Sequence, residues 1–296
     1  MKIKVFISMV CLSVFFLLPG LNQAEQAQPW QKRGVALKLT GGMNYMLLGD
    51  WNDFMNGWTD YENNCANDLG GTTEGAFKSI RWGLDFEGDV IIYLNPRLGI
   101  TIGSGYIYGK KGPDAKKMTS NLPDVTFRLN HDMQISAIPV KIGVYYCLSR
   151  SSKSRFFLSG GIGYYFAKIS EVYMNQWDGN WSHENQDAKG EGVGFQGGMG
   201  LELDIAKNIA FVVEGYGRYA KIGDFTGERA WSMSFGPSGS WKGSLYYYEL
   251  DAPYGMLPYI EINPRVPGGA NRRNVRKATV DFSGFTVRIG VKIRLF

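Results

Sequence analysis

Residues 192–222, GVGFQGGMGLELDIAKNIAFVVEGYGRYAKI, constrain the chain more than any other stretch. Val193, Phe195, Met199, Leu201, Leu203 and Ile205 fall on one parity; Gln196, Glu202 and Asp204 fall on the other, with Gly194, Gly198 and Gly200. After Ala206-Lys207-Asn208 the apolar parity resumes at Ile209, Phe211 and Val213, with Glu214 and Arg218 opposite. Period-2 alternation means two strands with one apolar and one polar, glycine-rich face. A soluble sandwich would show the same alternation, but in strands of roughly five or six residues. Each arm here offers about twelve, and a tilted strand crossing a bilayer needs about nine to eleven. The hairpin therefore reads as membrane-spanning.

The remainder of the chain repeats the pattern. Val35, Leu37, Leu39, Met43, Tyr45 and Leu47 share a face within residues 34–48, with Lys38, Thr40 and Asn44 opposite. Residues 80–94 carry Trp82, Leu84, Phe86, Val90, Ile92 and Leu94 against Arg81, Asp85, Glu87 and Asp89. Asn95-Pro96-Arg97 is a tight turn, followed by Leu98, Ile100, Ile102, Tyr106 and Tyr108. Residues 130–148 place Ile138, Val140, Ile142, Val144, Tyr146 and Leu148 outward and Lys141 inward, with Pro139, which removes one ladder donor, marking a bulge or weak point. Phe156, Leu158, Ile162, Tyr164 and Phe166 form the next outward set. The last strand, residues 279–296, sets Phe285, Val287, Ile289, Val291, Ile293 and Leu295 against Arg288, Lys292 and Arg294.

That makes eight long strands, joined alternately by short connections (near Pro96, Ser151 and Lys207) and long ones. The expected fold is an all-β, eight-stranded antiparallel up-and-down transmembrane β-barrel with short periplasmic turns and long extracellular loops. Only helices and closed barrels satisfy the backbone in lipid, and no stretch after the N-terminus approaches the roughly eighteen apolar residues of a spanning helix. Residues 1–24 read as a secretory signal peptide: Lys2 and Lys4, an apolar run from Val5 to Leu18, then Pro19-Gly20 and small residues. Cleavage is expected after Ala24, with Ala27 the alternative, leaving residues 25–296 as one barrel domain in the cell outer membrane. Losing Lys2 and Lys4 lowers the formal charge of +5 to near +3, too weak for a nucleic-acid partner. Cys65 and Cys147 fall at opposite ends of such a barrel and are expected to stay unbridged.

The signal peptide, the eight alternating strands, the alternating loop lengths and the aromatic terminal residue together resemble the small outer-membrane β-barrel proteins, the superfamily of the OmpA transmembrane domain and OmpX-like proteins. The resemblance spans the mature chain. In one respect the chain departs from it: Phe296 is out of phase by one with Val291, Ile293 and Leu295. The resemblance implies a monomer placed in outer-membrane lipid by the barrel assembly machinery.

The inward positions hold Lys38, Asp85, Glu87, Asp89, Lys141, Glu202, Asp204, Glu214, Arg218, Arg288, Lys292 and Arg294. An eight-stranded barrel is just wide enough to be filled by side chains, so six acids facing six bases predict a buried salt-bridge network that seals the lumen. The alternative is a small porin-like channel for ions or small solutes, favoured if a hairpin formed by residues 245–250 and 257–262 joins the wall. A lipid-modifying enzyme would need a base and a nucleophile together at the outer rim. The two histidines, His131 and His183, read instead as solvent-exposed rim or loop residues, and neither catalytic activity nor a cofactor or metal is expected.

Function then falls to the outer loops, in a structural or surface-binding, adhesive role. In residues 50–61 Trp51, Phe54, Met55, Trp58 and Tyr61 recur at helical spacing with Asp50 as N-cap, predicting a helical turn or two on the barrel rim, then a polar loop from Asn63. Residues 173–190 read as a loop, and the segment from Lys221 to about Ala278 as a long irregular one. Its basic tail, Arg265, Arg272, Arg273, Arg276 and Lys277, is a candidate for lipopolysaccharide phosphates, with Trp231, Trp241, Tyr246, Tyr247, Tyr248 and Tyr254 supplying contact area.

Overall fold

The computed structural model describes residues 34–150 and 153–295; the proposed signal peptide and Phe296 lie outside them. The described residues form one antiparallel sheet system with one long helix. In chain order the elements are β1 (Val35–Met46), α1 (Asp50–Asp68), β2 (Thr72–Gly75), β3 (Trp82–Tyr93), β4 (Leu98–Lys110), β5 (Lys117–Asn121), β6 (Thr126–Arg150), β7 (Ser154–Trp177) and β8 (Asn180–Ala206). There follow β9 (Ile209–Tyr219), β10 (Lys221–Met233), β11 (Gly236–Ala252), β12 (Gly255–Asn263), β13 (Arg272–Lys277), β14 (Val280–Asp281) and β15 (Gly284–Arg294).

Eight of these strands pair in a closed cycle. β1 pairs with β3, β3 with β4, β4 with β6, β6 with β7, β7 with β8, β8 with β9 and β9 with β15. β15 returns to β1 in a register that opposes Leu37 to Ile293 and Met43 to Val287. Alternation then sorts side chains by parity. Val90, Ile102, Ile142, Ile162, Phe195 and Tyr219 stand in one register row across six neighbouring strands. All six are exposed, from 40% to 62%. An inner row runs Asp85, Gly42, Arg288, Glu214 and Gly200. Glycine has a steric role there: a Cβ at Gly42 would lie 1.9 Å from the carbonyl oxygen of Val287.

Beyond the cycle the sheet continues upward. β6, β7 and β8 run on well past the apolar outward positions, so residues 173–190, expected as a loop, are strand. The Asp178-Gly179 turn has φ of 44° and 78°, the positive pair of a type I′ hairpin. Polar composition obscured this, because strand beyond the apolar belt has no reason to alternate as sharply. The segment after Lys221 is also strand: β10 pairs with β8 and β11, and β11 with both β12 and β13. The expected small hairpin is present as β11–β12, and it pairs onto β10, outside the eight-strand cycle.

The helix is longer than the turn or two expected, and it runs through Asn63 to Asp68. Trp51 and Met55 have no exposure and Phe54 only 4%. They join one cluster with inward residues Met46, Ile107, Ile135, Ile169 and Ala188 of the ring strands, so α1 fills the outer mouth instead of resting on its rim. Gly57 is tolerated mid-helix because Pro258 of β12 presses there; a Cβ would sit 2.3 Å from its Cγ. Gly49, not Asp50, precedes the first turn and no side chain caps it.

At the Asp178-Gly179 tip, Gly179→Val forces a β-branched residue to positive φ. We expect a loss of about 1–2 kcal/mol, read as a lower urea midpoint, with the eight-strand cycle still formed.

Candidate functional site

The inner face divides into a charged lower half and an apolar upper half. In the lower half all twelve predicted inward residues meet. Lys38 bridges Asp89 (3.0 Å) and Glu214 (2.7 Å), and Thr40 also donates to Glu214. Arg288 contacts Asp85 through Nε at 3.0 Å and also pairs with Glu87 and Glu214. Arg218 reaches Asp85 at 2.9 Å and donates through Nε to the Phe282 carbonyl. Lys141 pairs with Glu87 and sits 3.8 Å from Asp89.

A second knot lies nearer the short turns. Lys292, with no exposure, pairs with Glu202 and lies 4.3 Å from the Tyr145 ring centroid; Tyr145 donates to Glu202 at 2.7 Å. Arg294 and Arg155 hold Asp204 at 2.5 Å and 2.8 Å. Arg155 was missed in the sequence because it follows a turn, although its parity opposite Phe156 and Leu158 marks it as inward. It adds a seventh base to the six acids.

The void among Lys38, Glu87, Asp89, Lys141, Tyr145 and Tyr216 holds about 20 Å³. That is room for roughly one water and not for a hydrated ion. Above it, Tyr165, Ala167, Ile169, Ile135 and the α1 aromatics close the interior with apolar packing. The arrangement can brace the wall and exclude water.

His131 is not the solvent-exposed residue expected. Odd-numbered residues of β6 face inward, so it lies 1% exposed beneath α1, with Phe54, Phe77 and Tyr173 edge-on around it. Its Nε2 contacts Glu171, which also accepts from Gln186 at 3.1 Å. Among the described residues, its polar partner is Glu171 and not a serine hydroxyl. His183 lies half-exposed on β8, opposite Ser232 and Met174.

The predicted basic tail is largely engaged within the chain. Arg276 forms a two-pronged pair with Asp50, at 2.5 Å and 2.8 Å, while Thr279 donates to the same carboxylate. Burial alone would raise the Asp50 carboxyl; the Arg276 and Thr279 hydrogen bonds outweigh it and hold the group below its ordinary value. Arg273 pairs with Asp251 at 2.8 Å and Lys277 with Asp224 at 2.6 Å. Arg272 donates to the Gly268 carbonyl and lies 5.0 Å from the Tyr248 ring centroid. The Arg276 pair ties β13 to the start of α1, and the Arg273 and Lys277 pairs tie it to β11 and β10. Cys65 on α1 and Cys147 near the far end of β6 are unbridged.

Lys111 is a buried cation of the outer half, set against Met55 Sδ and 5.5 Å from the Phe77 ring centroid. Burial pushes its amine down to about 8, with Glu171 and Asp132 opposing.

No protein-family model and no curated protein matches the chain. Among solved structures it is similar to a major outer membrane protein from Thermus thermophilus, at 10% identity over 89% of this chain and 99% of that one, with a TM-score of 0.39. It is also similar to the outer membrane protein OprG from Pseudomonas aeruginosa, at 11% identity over 88% of this chain and 96% of that one, with a TM-score of 0.38.

Two predictions test these halves separately. Glu202→Gln strips Lys292 of the carboxylate against it, and breaking a buried pair costs about 3–5 kcal/mol. We expect a matching drop in unfolding free energy in lipid vesicles, largely recovered when Lys292→Met is combined with Glu202→Met. In the outer half, the unfolded chain keeps the Lys111 proton up to about 10.5 while the folded chain releases it near 8. The unfolded state therefore binds more protons in this window, and stability rises as pH goes from 8 to 10.5. Lys111→Met removes that component of the rise and raises the unfolding midpoint at pH 7; an unchanged profile excludes a buried ammonium.

Proposed function

We propose that the chain is an outer-membrane protein whose eight-strand cycle is an up-and-down transmembrane barrel of the OmpA/OmpX-like kind. Its short turns face the periplasm, and its role is structural and surface-binding, not conductive. The observation that carries this reading is the exposed apolar row Val90, Ile102, Ile142, Ile162, Phe195 and Tyr219, joined by Leu39 and Ile289 on the two remaining ring strands and by Met199 and Val213 on β8 and β9. So large an apolar band on the outside of a ring whose inside is charged is a soluble protein turned inside out, and lipid is the solvent that fits it. At the upper edge Trp82, Tyr45 and Phe285 pack together, Tyr45 on Phe285 at 5.4 Å, and Arg81 donates to the Tyr45 hydroxyl. Aromatic rings with a cation beside them suit the headgroup level.

A non-conducting role is supported by the two closures in series: charge pairs filling the lower lumen and α1 packed into the upper mouth. The refolded protein should give no current steps above leak in a planar bilayer. On intact cells and in a Cys65→Ser background, a cysteine placed at Gly179 should react with an impermeant maleimide, and one placed at Lys207 should not. Steady unitary steps would overturn the sealed interior, and the reverse labelling pattern would overturn the orientation.

A further inference from the structure

The outward face just above the apolar belt carries its charge unevenly. On β4 the outward residues climb from Ile102 through Tyr106 and Tyr108 to Lys110, from aliphatic through aromatic to cationic. The two tyrosine rings stack at 6.2 Å, and Lys110 is the next outward residue above them. Lys110 opposes Gln134 of β6 in register and lies 3.7 Å from Asp132, the next outward residue of that strand. Lys116, just before β5, reaches the same carboxylate oxygen at 2.7 Å. Two ammoniums therefore share one oxygen.

The cations continue upward. Lys117 of β5 opposes Asn130, and Arg128 of β6 opposes Thr119. Met118 and Leu129, which alternate with them, are buried, so Lys117 and Arg128 stand on the outward side, where both are exposed. Neither forms an ion pair among the described residues. The remaining acids nearby are Glu74, opposite Thr119 on β2, and Asp114, in the turn before Lys116. Elsewhere at this level cations and acids are matched. Lys168 pairs with Asp187 at 3.3 Å and Lys242 with Glu228 at 3.9 Å. Lys221 opposes Asp281 in register, and Lys189 stands two residues from Glu191 on the same face.

We infer that Lys110, Lys116, Lys117 and Arg128 bind the phosphate groups of an outer-leaflet lipid, a phosphorylated glycolipid of the lipopolysaccharide kind. The inference rests on the outer-membrane reading above and names the partner for its surface-binding role. Position gives the lipid: the patch has lipid-facing parity and begins directly above aromatic rings, where acyl chains end and headgroups stand. Charge gives the phosphate: two ammoniums on one carboxylate oxygen repel each other and leave a net positive charge, which a group with several acceptor oxygens neutralises. Height gives the glycolipid. From Asp132 to Arg128 the cations span about 13 Å of strand, more than a single phosphodiester covers, and a headgroup with charges at several heights meets all of them.

The test uses the full-length protein refolded in uncharged detergent micelles. It is titrated with rough lipopolysaccharide, with the same lipid stripped of its phosphates, with phosphatidylglycerol and with inorganic phosphate, and bound ligand is counted by native mass spectrometry. Saturable binding of the intact lipopolysaccharide is expected. Lys110→Gln with Lys116→Gln should weaken it by about tenfold, and Lys110→Arg with Lys116→Arg should retain it. Lys168→Gln with Lys242→Gln removes as much charge from the matched side and should leave binding unchanged. Equal binding of the stripped lipid overturns the inference, as does binding that Lys110→Gln with Lys116→Gln leaves intact or that the Lys168 and Lys242 changes weaken as much. Equally tight phosphatidylglycerol overturns the glycolipid, and inorganic phosphate that displaces the lipid at its own midpoint assigns the patch to the free ion instead. Whether the barrel has formed is scored independently by the shift of unheated protein on a denaturing gel. A negative titration of shifted protein counts against the lipid site alone, and loss of the shift in the parent counts against the barrel reading itself.

Discussion

Closure of the eight-strand ring is the constraint from which the other features follow. A strand leaves one N–H and one C=O per residue to be paired, and an open edge leaves a row of them unmet. Pairing of β15 with β1 removes that edge. It also sets the parity of every ring strand at once, since a slip of one residue at the seam would exchange the charged and apolar faces. The inner glycines belong to the same constraint. Gly42 and Gly103 stand where a Cβ would collide with the neighbouring strand's carbonyl and with the Asp89 carboxylate, at 1.9 Å in each case. A narrow ring carrying this many long charged side chains needs positions with no side chain.

The interior changes character part-way up, and the change follows from who supplies the packing. In the lower half the ring has only itself to fill its lumen, and paired charges meet that need while each carboxylate serves two or three bases. In the upper half α1 enters, and a helix face bearing Trp51, Phe54 and Met55 is best met by apolar wall residues. The Asp50–Arg276 pair ties the start of that helix to β13. Beside α1, Tyr173 of β7 and Trp241 of β11 pack partly buried against the same cluster.

Much of this was legible in the sequence because a bilayer-length strand repeats one rule for about a dozen residues. The eight ring strands and the hairpin of residues 245–262 can be read from alternation alone, and so can the inward set from Lys38 to Arg294. Arg155 obeyed the same parity but stood too close to a turn to be counted. His131 also obeyed it, at an odd position of β6, but its polarity suggested solvent. The length of α1 was hidden by Gly57, which breaks helix propensity locally and is explained only by Pro258, some two hundred residues away in the chain.

What the sequence by itself determined is which residues share a face, because parity is a property of the extended backbone and needs no partner. The tertiary structure decided what each face meets. Charges of opposite sign in the list of inward residues do not say which pair forms: Lys38 opposes Asp89 in register, yet it lies nearer Glu214, on β9, the strand beyond β15. Nor does helical spacing say whether Trp51 and Phe54 rest on a rim or fill a mouth. Those outcomes depend on the ring's diameter and on which distant strands arrive beside one another. Both are set by the register at closure, which is a property of the whole sheet and of no single segment.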